Sequence, residues 1–145
     1  MQAVIQRTKR KITRILHYLV QDYLFLIHFS RAWALAVTKA DDVAEMRACA
    51  ATVNALVNDE ISLHIRICAA AGIDEATLFS ATEETANLAY TRYVLDAGHS
   101  GDFLDLMAAL APCLAVLGRP AAKGRIQGIS ISMAIHDRSA CLDSH

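Results

Sequence analysis

The sequence predicts an all-α domain, and two observations carry the prediction. The stretch His17–Ala40, HYLVQDYLFLIHFSRAWALAVTKA, contains no Gly or Pro that would stop a helix. Its apolar residues occupy most of a helical circumference, so this helix should be central and buried on several sides. A second run, from Val43 to Ile67, repeats apolar residues at steps of three and four. With 145 residues and an apolar fraction of 54%, the chain is long enough for one domain with its own core.

Composition narrows the function classes. The net charge is −1, and the only cationic cluster, Arg7–Lys11, is short and reads as a solvated helix start. Nucleic acid is therefore not expected as a partner. The central stretch is long enough to span a bilayer, but Gln21, Asp22, His28 and Arg31 are spread through it. A hydrocarbon interior penalises such groups heavily, so no membrane span is expected. The four cysteines, at 49, 68, 113 and 141, show no CxxC spacing, and no secretion signal is seen. Reduced thiols and a cytoplasmic location are the expectation.

The elements follow in order. Met1–Leu16 is basic and weakly amphipathic through Ile5, Ile12, Ile15 and Leu16, and can lead into the central helix without a break. Asp41 and Asp42 suit the start of a second helix, where carboxylates complement the dipole. That helix should run to about Ala71 and end at Gly72. Its seam is Val43, Met46, Cys49/Ala50, Val53, Leu56/Val57, Glu60, Leu63/His64 and Ile67. Gly72–Ser80 reads as a connection with one short turn. Thr82–Ala97 reads as a third helix, with Thr82 as N-cap, Gly98 as stop, and Leu88, Tyr90, Thr91, Val94 and Leu95 facing inward. Asp102 to about Leu117 is a fourth helix, almost wholly apolar and hence expected to be central. Pro112 inside it should kink the helix or free a carbonyl near Cys113. After Leu117 the character changes: residues 118–145 show no helical seam, and a divergent, poorly ordered tail is expected.

Five positions stand out chemically. On a helix Tyr18, Asp22, Phe25 and Phe29 share one face, which sets a carboxylate among three rings. Asp22 is either a core residue satisfied by a backbone group or an Arg, or the anchor of a pocket for a flat, nitrogen-rich ligand. Cys113, following a Pro, is either a nucleophile or an inert core thiol. Tyr90 is either core or a hydroxyl aimed into a pocket. Glu60 and His64 lie one turn apart and resemble half of a helical metal site. The spacing is Glu-x-x-x-His, no second copy exists, and His28 and Glu45 do not complete a set, so neither metal nor cofactor is expected. His17, His28 and His99 read as ordinary hydrogen-bonded or surface residues. No phosphate-binding Gly loop, GxSxG or zinc motif is present.

HYLVQDYLFLIHFSRAWALA closely resembles the signature helix of the thiaminase II (TenA-type) proteins. NDEISLH at Asn58–His64, AYTRYVL at Ala89–Leu95 and LAPCLA at Leu110–Ala115 recur in the family's order and at about its spacing. The resemblance is traced over about residues 17–117. It implies a helical bundle like that of heme oxygenase, assembled as a homotetramer. It also implies thiamin salvage, with hydrolysis of aminomethylpyrimidine, and in many members of thiamin itself, to hydroxymethylpyrimidine. Cys113 matches the family's nucleophile, which attacks the pyrimidine ring. Asp22 matches the carboxylate that holds the ring nitrogen and amino group. Tyr90 matches a Tyr that lines the pocket, and Glu60 a pocket-side acid. Phe25 stands where many members have a Tyr whose hydroxyl supports the nucleophile. The family's C-terminal helices, with a pocket Tyr and a proton-donor Glu, have no counterpart traced after Leu117. The resemblance thus implies a family core, residues 1–117, with its end missing or replaced. The alternative to a hydrolase is an inactive truncated member that binds a pyrimidine or only self-associates.

Overall fold

The computed structural model describes residues 1–117, with side chains through Cys113; the expected divergent tail, 118–145, lies outside the described residues. Helix α1 runs unbroken over Gln2–Lys39, so the basic start and the central stretch form one rod, as their sequences imply. Its buried residues begin at Leu19 and continue to Ala36, and include Gln21, Asp22 and Ser30. Ser30 Oγ donates to the Leu26 carbonyl at 2.7 Å, which satisfies a hydroxyl placed in the core.

Helix α2, Val43–Asn54, starts where the acidic pair implies: Asp42 Oδ1 accepts the Glu45 N–H at 2.8 Å. The chain then passes through a π-helical turn, Ala55–Glu60, into α3, Ile61–Ala70. In that turn the Ile61 N–H donates five residues back, to the Leu56 carbonyl. The wide turn carries an extra residue and rotates every later side chain relative to the α2 seam. Most of the expected seam is buried or half-buried; its large apolar departures are Val43 and Met46, which precede the π turn, and Val57 within it. Cys49, Leu56, His64 and Cys68 are buried, whereas Val43, Met46 and Val57 are exposed. Gly72 ends the segment at φ +84°, a left-handed conformation that suits glycine.

The short helix α4, Glu75–Phe79, is capped by Asp74, whose Oδ1 accepts the Thr77 N–H at 2.8 Å. Helix α5 covers Thr85–Ser100 and corrects both expected ends. Thr82 is not its cap. Gln21 of α1 takes that segment instead, donating to the Thr82 carbonyl at 2.8 Å and accepting the Glu84 N–H at 2.9 Å, so the helix begins after Glu84. Gly98 is not a stop but a buried position inside the helix. A Cβ there would lie 2.9 Å from Leu35 Cδ1 and 3.2 Å from Leu106 Cδ1, so its lack of a side chain lets α1 and the last helix close on α5. The helix ends at Gly101, whose carbonyl accepts Lys39 Nζ at 2.6 Å. The inward line of α5 is Thr91, Val94 and Gly98; Leu88 lies to one side of it and is exposed.

Helix α6, Phe103–Leu117, opens on a reciprocal box: Asp102 Oδ1 accepts the Asp105 N–H and Asp105 Oδ2 accepts the Asp102 N–H, each at 3.0 Å. It runs through Pro112. Its expected central position is corrected. One face, Leu106, Ala109, Leu110 and Cys113, packs into the core, while Leu104 is 74% exposed and Ala108, Ala111 and Pro112 face outward. Apolar composition alone does not bury a helix that has no neighbour on its second side among the described residues.

Two apolar clusters flank α1. One joins Phe25, Phe29, Ala32 and Trp33 to Val94, Leu106, Leu110 and Cys113. The other joins Leu19, Tyr23 and Leu24 to Cys68 and Leu78, and Tyr18 packs against it. Among the described residues there is no strand, and no helix is long and apolar enough to cross a membrane.

Candidate functional site

The site is built where α1 passes between the two clusters. Asp22 is fully buried, and its partner is neither a backbone group nor an Arg but His64 of α3. His64 Nε2 lies 2.7 Å from Asp22 Oδ2, and His64 Nδ1 donates to the Glu60 carbonyl at 2.9 Å. Both ring nitrogens are thereby engaged, which removes His64 from the half metal site that its spacing suggested. The second carboxylate oxygen, Asp22 Oδ1, is buried without a protein partner among the described residues, as is Glu60 Oε2. Buried acceptors of this kind call for a donor. Burial pushes the Asp22 carboxyl up, against the opposing pull of His64. Burial pushes Glu60 up as well, and the Asp22 charge adds to it. For His64 burial alone would lower the pKa, but the hydrogen bond and charge of Asp22 outweigh it and raise it.

One turn along α1, Phe25 begins the second group. Its ring stacks on Phe29 (centroids 5.2 Å, 24°) and on Tyr90 of α5 (6.2 Å, 13°). Cys113 of α6, 2% exposed, donates its S–H to Tyr90 Oη at 3.1 Å, and Tyr90 in turn donates to the Ala109 carbonyl at 3.0 Å. The chain of bonds ends on the Ala109 carbonyl, one turn before the thiol; the carbonyl that Pro112 leaves without an N–H donor is that of Ala108. Burial raises the Cys113 pKa and the Tyr90 hydroxyl partly opposes it, so the resting sulfur is a thiol. Burial and then the Cys113 contact push the Tyr90 phenol far above its ordinary range. The hydroxyl beside the sulfur therefore comes from Tyr90, while Phe25 supplies only a stacking face.

Thus the structure brings Cys113, Tyr90 and Phe25 into one chain of contacts and Asp22, Glu60 and His64 into another, with Asp22 and Phe25 three residues apart on α1. A narrow crevice beside the first group is lined by Phe25, His28, Phe29, Tyr90, Thr91 and Val94. His28 there lies 3.0 Å from Glu83 and accepts from Arg31 Nη1 at 3.2 Å; burial and then the Arg92 charge lower its pKa and favour the neutral ring. His17 meets Glu84 at 2.5 Å. His64 lies on the expected seam, but its pairing with Asp22 is not anticipated by the sequence. Its distance of 42 residues from Asp22 and the π turn before it hide the pairing from spacing.

Comparisons with known proteins complete the picture. The family model for TENA/THI-4/PQQC matches residues 4–132, beyond the stretch over which the motifs were traced. An uncharacterized protein of Haemophilus influenzae is 48% identical over 97 residues, covering 67% of this chain and 45% of the relative. The aminopyrimidine aminohydrolase of Helicobacter pylori is 35% identical over 96 residues, covering 66% and 44%. The chain thus spans less than half the length of these relatives. In three dimensions, a TenA family transcription regulator from Silicibacter sp. TM1040 superposes with a TM-score of 0.70 at 52% identity, covering 86% of this chain and 54% of that one. On the fold, the ordered motifs and the extent of the family match together, the chain belongs to the TENA/THI-4/PQQC family, among its TenA-type, thiaminase II-like members.

Proposed function

We propose that this chain carries the nucleophile and the ring-binding part of an aminopyrimidine aminohydrolase of thiamin salvage. The observation that carries the proposal is the buried Cys113 thiol hydrogen-bonded to the Tyr90 hydroxyl. The aminopyrimidine aminohydrolases of H. pylori and Halalkalibacterium halodurans, each 35% identical over 96 residues, support the substrate class. A pyrimidine would stack on Phe25 and Tyr90, and its N–H groups would satisfy Asp22 Oδ1, with Glu60 Oε2 as a second acceptor. Addition of the thiol across a ring C=N places sulfur on carbon and the proton on nitrogen. The lone pair of an amidine nitrogen in the dearomatised ring then expels the exocyclic amine and leaves an exocyclic methylene. Water gives its hydroxide to that methylene and its proton to the departing amine. Sulfur leaves with the proton from the ring nitrogen, which restores the aromatic ring and the thiol. The products are hydroxymethylpyrimidine and ammonia. A low-dielectric site makes the Asp22 charge effective on the cationic ring.

The test is ammonia release from aminomethylpyrimidine by the purified chain. Turnover that disappears in Cys113→Ser is expected, and turnover that survives it removes the central claim. A second reading, a member that binds a pyrimidine or associates with itself without turnover, is favoured by the outward apolar face of α6 at Leu104, Ala108 and Ala111. It predicts binding of hydroxymethylpyrimidine without ammonia release. Assembly as a homotetramer in the cytoplasm belongs to the same proposal and is checked by sedimentation.

A further inference from the structure

The Asp22–His64 contact has more content than a buried ion pair. A carbonyl oxygen only accepts, so the Glu60 carbonyl at 2.9 Å fixes a proton on His64 Nδ1. Nε2 then faces Asp22 Oδ2 at 2.7 Å. Two bare lone pairs at that distance would repel, so one proton lies between them. Either the imidazolium faces a carboxylate, or a neutral ring faces a protonated acid. The side chains are 1% and 0% exposed, so solvent does not compete for the proton. Among the described residues, the charged groups acting on His64 are Asp22 from α1 and Glu60 from its own chain segment, both acidic, and both favour the imidazolium. Asp22 Oδ1 is left over, buried and unpartnered.

We propose that His64 is a positioning residue for the candidate site: held between the Glu60 carbonyl and Asp22 Oδ2, it takes the proton that Asp22 would otherwise keep and leaves Oδ1 as an ionised acceptor for the ligand. This rests on the reading of Asp22 as the residue that holds the pyrimidine. The proton changes place within the pair and no other reactant is needed. Without His64 a carboxyl in so dry a site would hold its own proton and lose its attraction for a cationic, amidine-like ring.

Two measurements on the full chain test the inference. In 15N NMR of the ligand-free protein, both His64 ring nitrogens should still carry protons above pH 6.5, where an ordinary imidazole has largely lost one. A bare Nε2 in that range would overturn the proposal whatever the ligand proves to be. Binding of hydroxymethylpyrimidine, followed calorimetrically, should be nearly independent of pH between 6.5 and 8 in the unaltered chain. In His64→Gln the amide still donates to Oδ2 but cannot carry a proton. Affinity should fall at neutral pH and recover as pH rises, by roughly tenfold per unit while Asp22 titrates. A uniform loss at every pH, or none at all, points to a merely structural histidine and also overturns it. If the unaltered chain binds no pyrimidine, the functional reading fails, and the NMR result still decides the state of the pair.

Discussion

His64 Nε2 and Asp22 Oδ2 stand 2.7 Å apart, with both side chains withdrawn from solvent, and this contact fastens α3 to the middle of α1. The central helix therefore carries an acidic side chain through its most buried stretch, with one oxygen bound and the other without a protein partner among the described residues. The neighbouring turn of the same helix delivers Phe25 to Tyr90, and Tyr90 to the thiol. A single rod thus sets the spacing between the polar and the nucleophilic ends of the candidate site.

Breaking the pair from one side leaves a buried carboxyl that must either keep an unpaired charge or take up a proton. His64→Leu should destabilise the fold by about 3–5 kcal/mol, because Asp22 is left buried without its partner. The double variant Asp22→Leu/His64→Leu should recover most of that loss, since no polar group remains to be solvated. Urea denaturation of the unaltered chain, Asp22→Leu, His64→Leu and the double variant checks this, and a double variant as unstable as the sum of the singles would contradict it.

The same pair sets a pH dependence of stability. Folded His64 has a pKa above its ordinary value of 6.5. In the unfolded chain the proton is lost near 6.5, whereas the folded pair retains it to higher pH. The folded state then binds more protons, so stability is fully present below about pH 6.5 and declines as pH rises toward the folded pKa. Denaturation midpoints at pH 6, 7 and 8 should fall in the unaltered chain, and this part of the slope should vanish in Asp22→Leu/His64→Leu, where neither partner titrates.

Tyr90 should control the reactivity of Cys113. Its hydroxyl opposes the effect of burial on the thiol. Tyr90→Phe removes that help and should shift the pH profile of iodoacetamide alkylation at Cys113 to higher pH. If the proposed chemistry holds, ammonia release should also drop by about 10² or more. Faster alkylation at neutral pH in Tyr90→Phe would show that the hydroxyl shields the sulfur instead.

Gln21 ties the start of α5 to α1 through its side-chain bonds to Thr82 and Glu84, and its carbonyl accepts from Asn87 at 3.1 Å. Gln21→Leu leaves the Glu84 amide and the Thr82 carbonyl without those partners. A loss of about 1–3 kcal/mol is expected, together with faster amide hydrogen exchange at Glu84. Unchanged exchange there would mean that α5 starts where it does for another reason.

The sequence by itself determined the all-α class, the unbroken central helix and the oddness of Asp22, because periodicity and the absence of breakers act locally. It also marked Cys113, Tyr90 and Glu60 through a family resemblance that the family match supports. Only the tertiary structure decided what these residues touch. The π turn at Ala55–Glu60 rotated the second seam and delivered His64, not an Arg, to Asp22. Gly98, read as a stop, became a point of close packing, since a terminating and a packing glycine look alike until the neighbouring helices are in place. The apolar α6, read as central, covers only one side of the core. Burial is a property of two surfaces, and one helix's sequence specifies only its own.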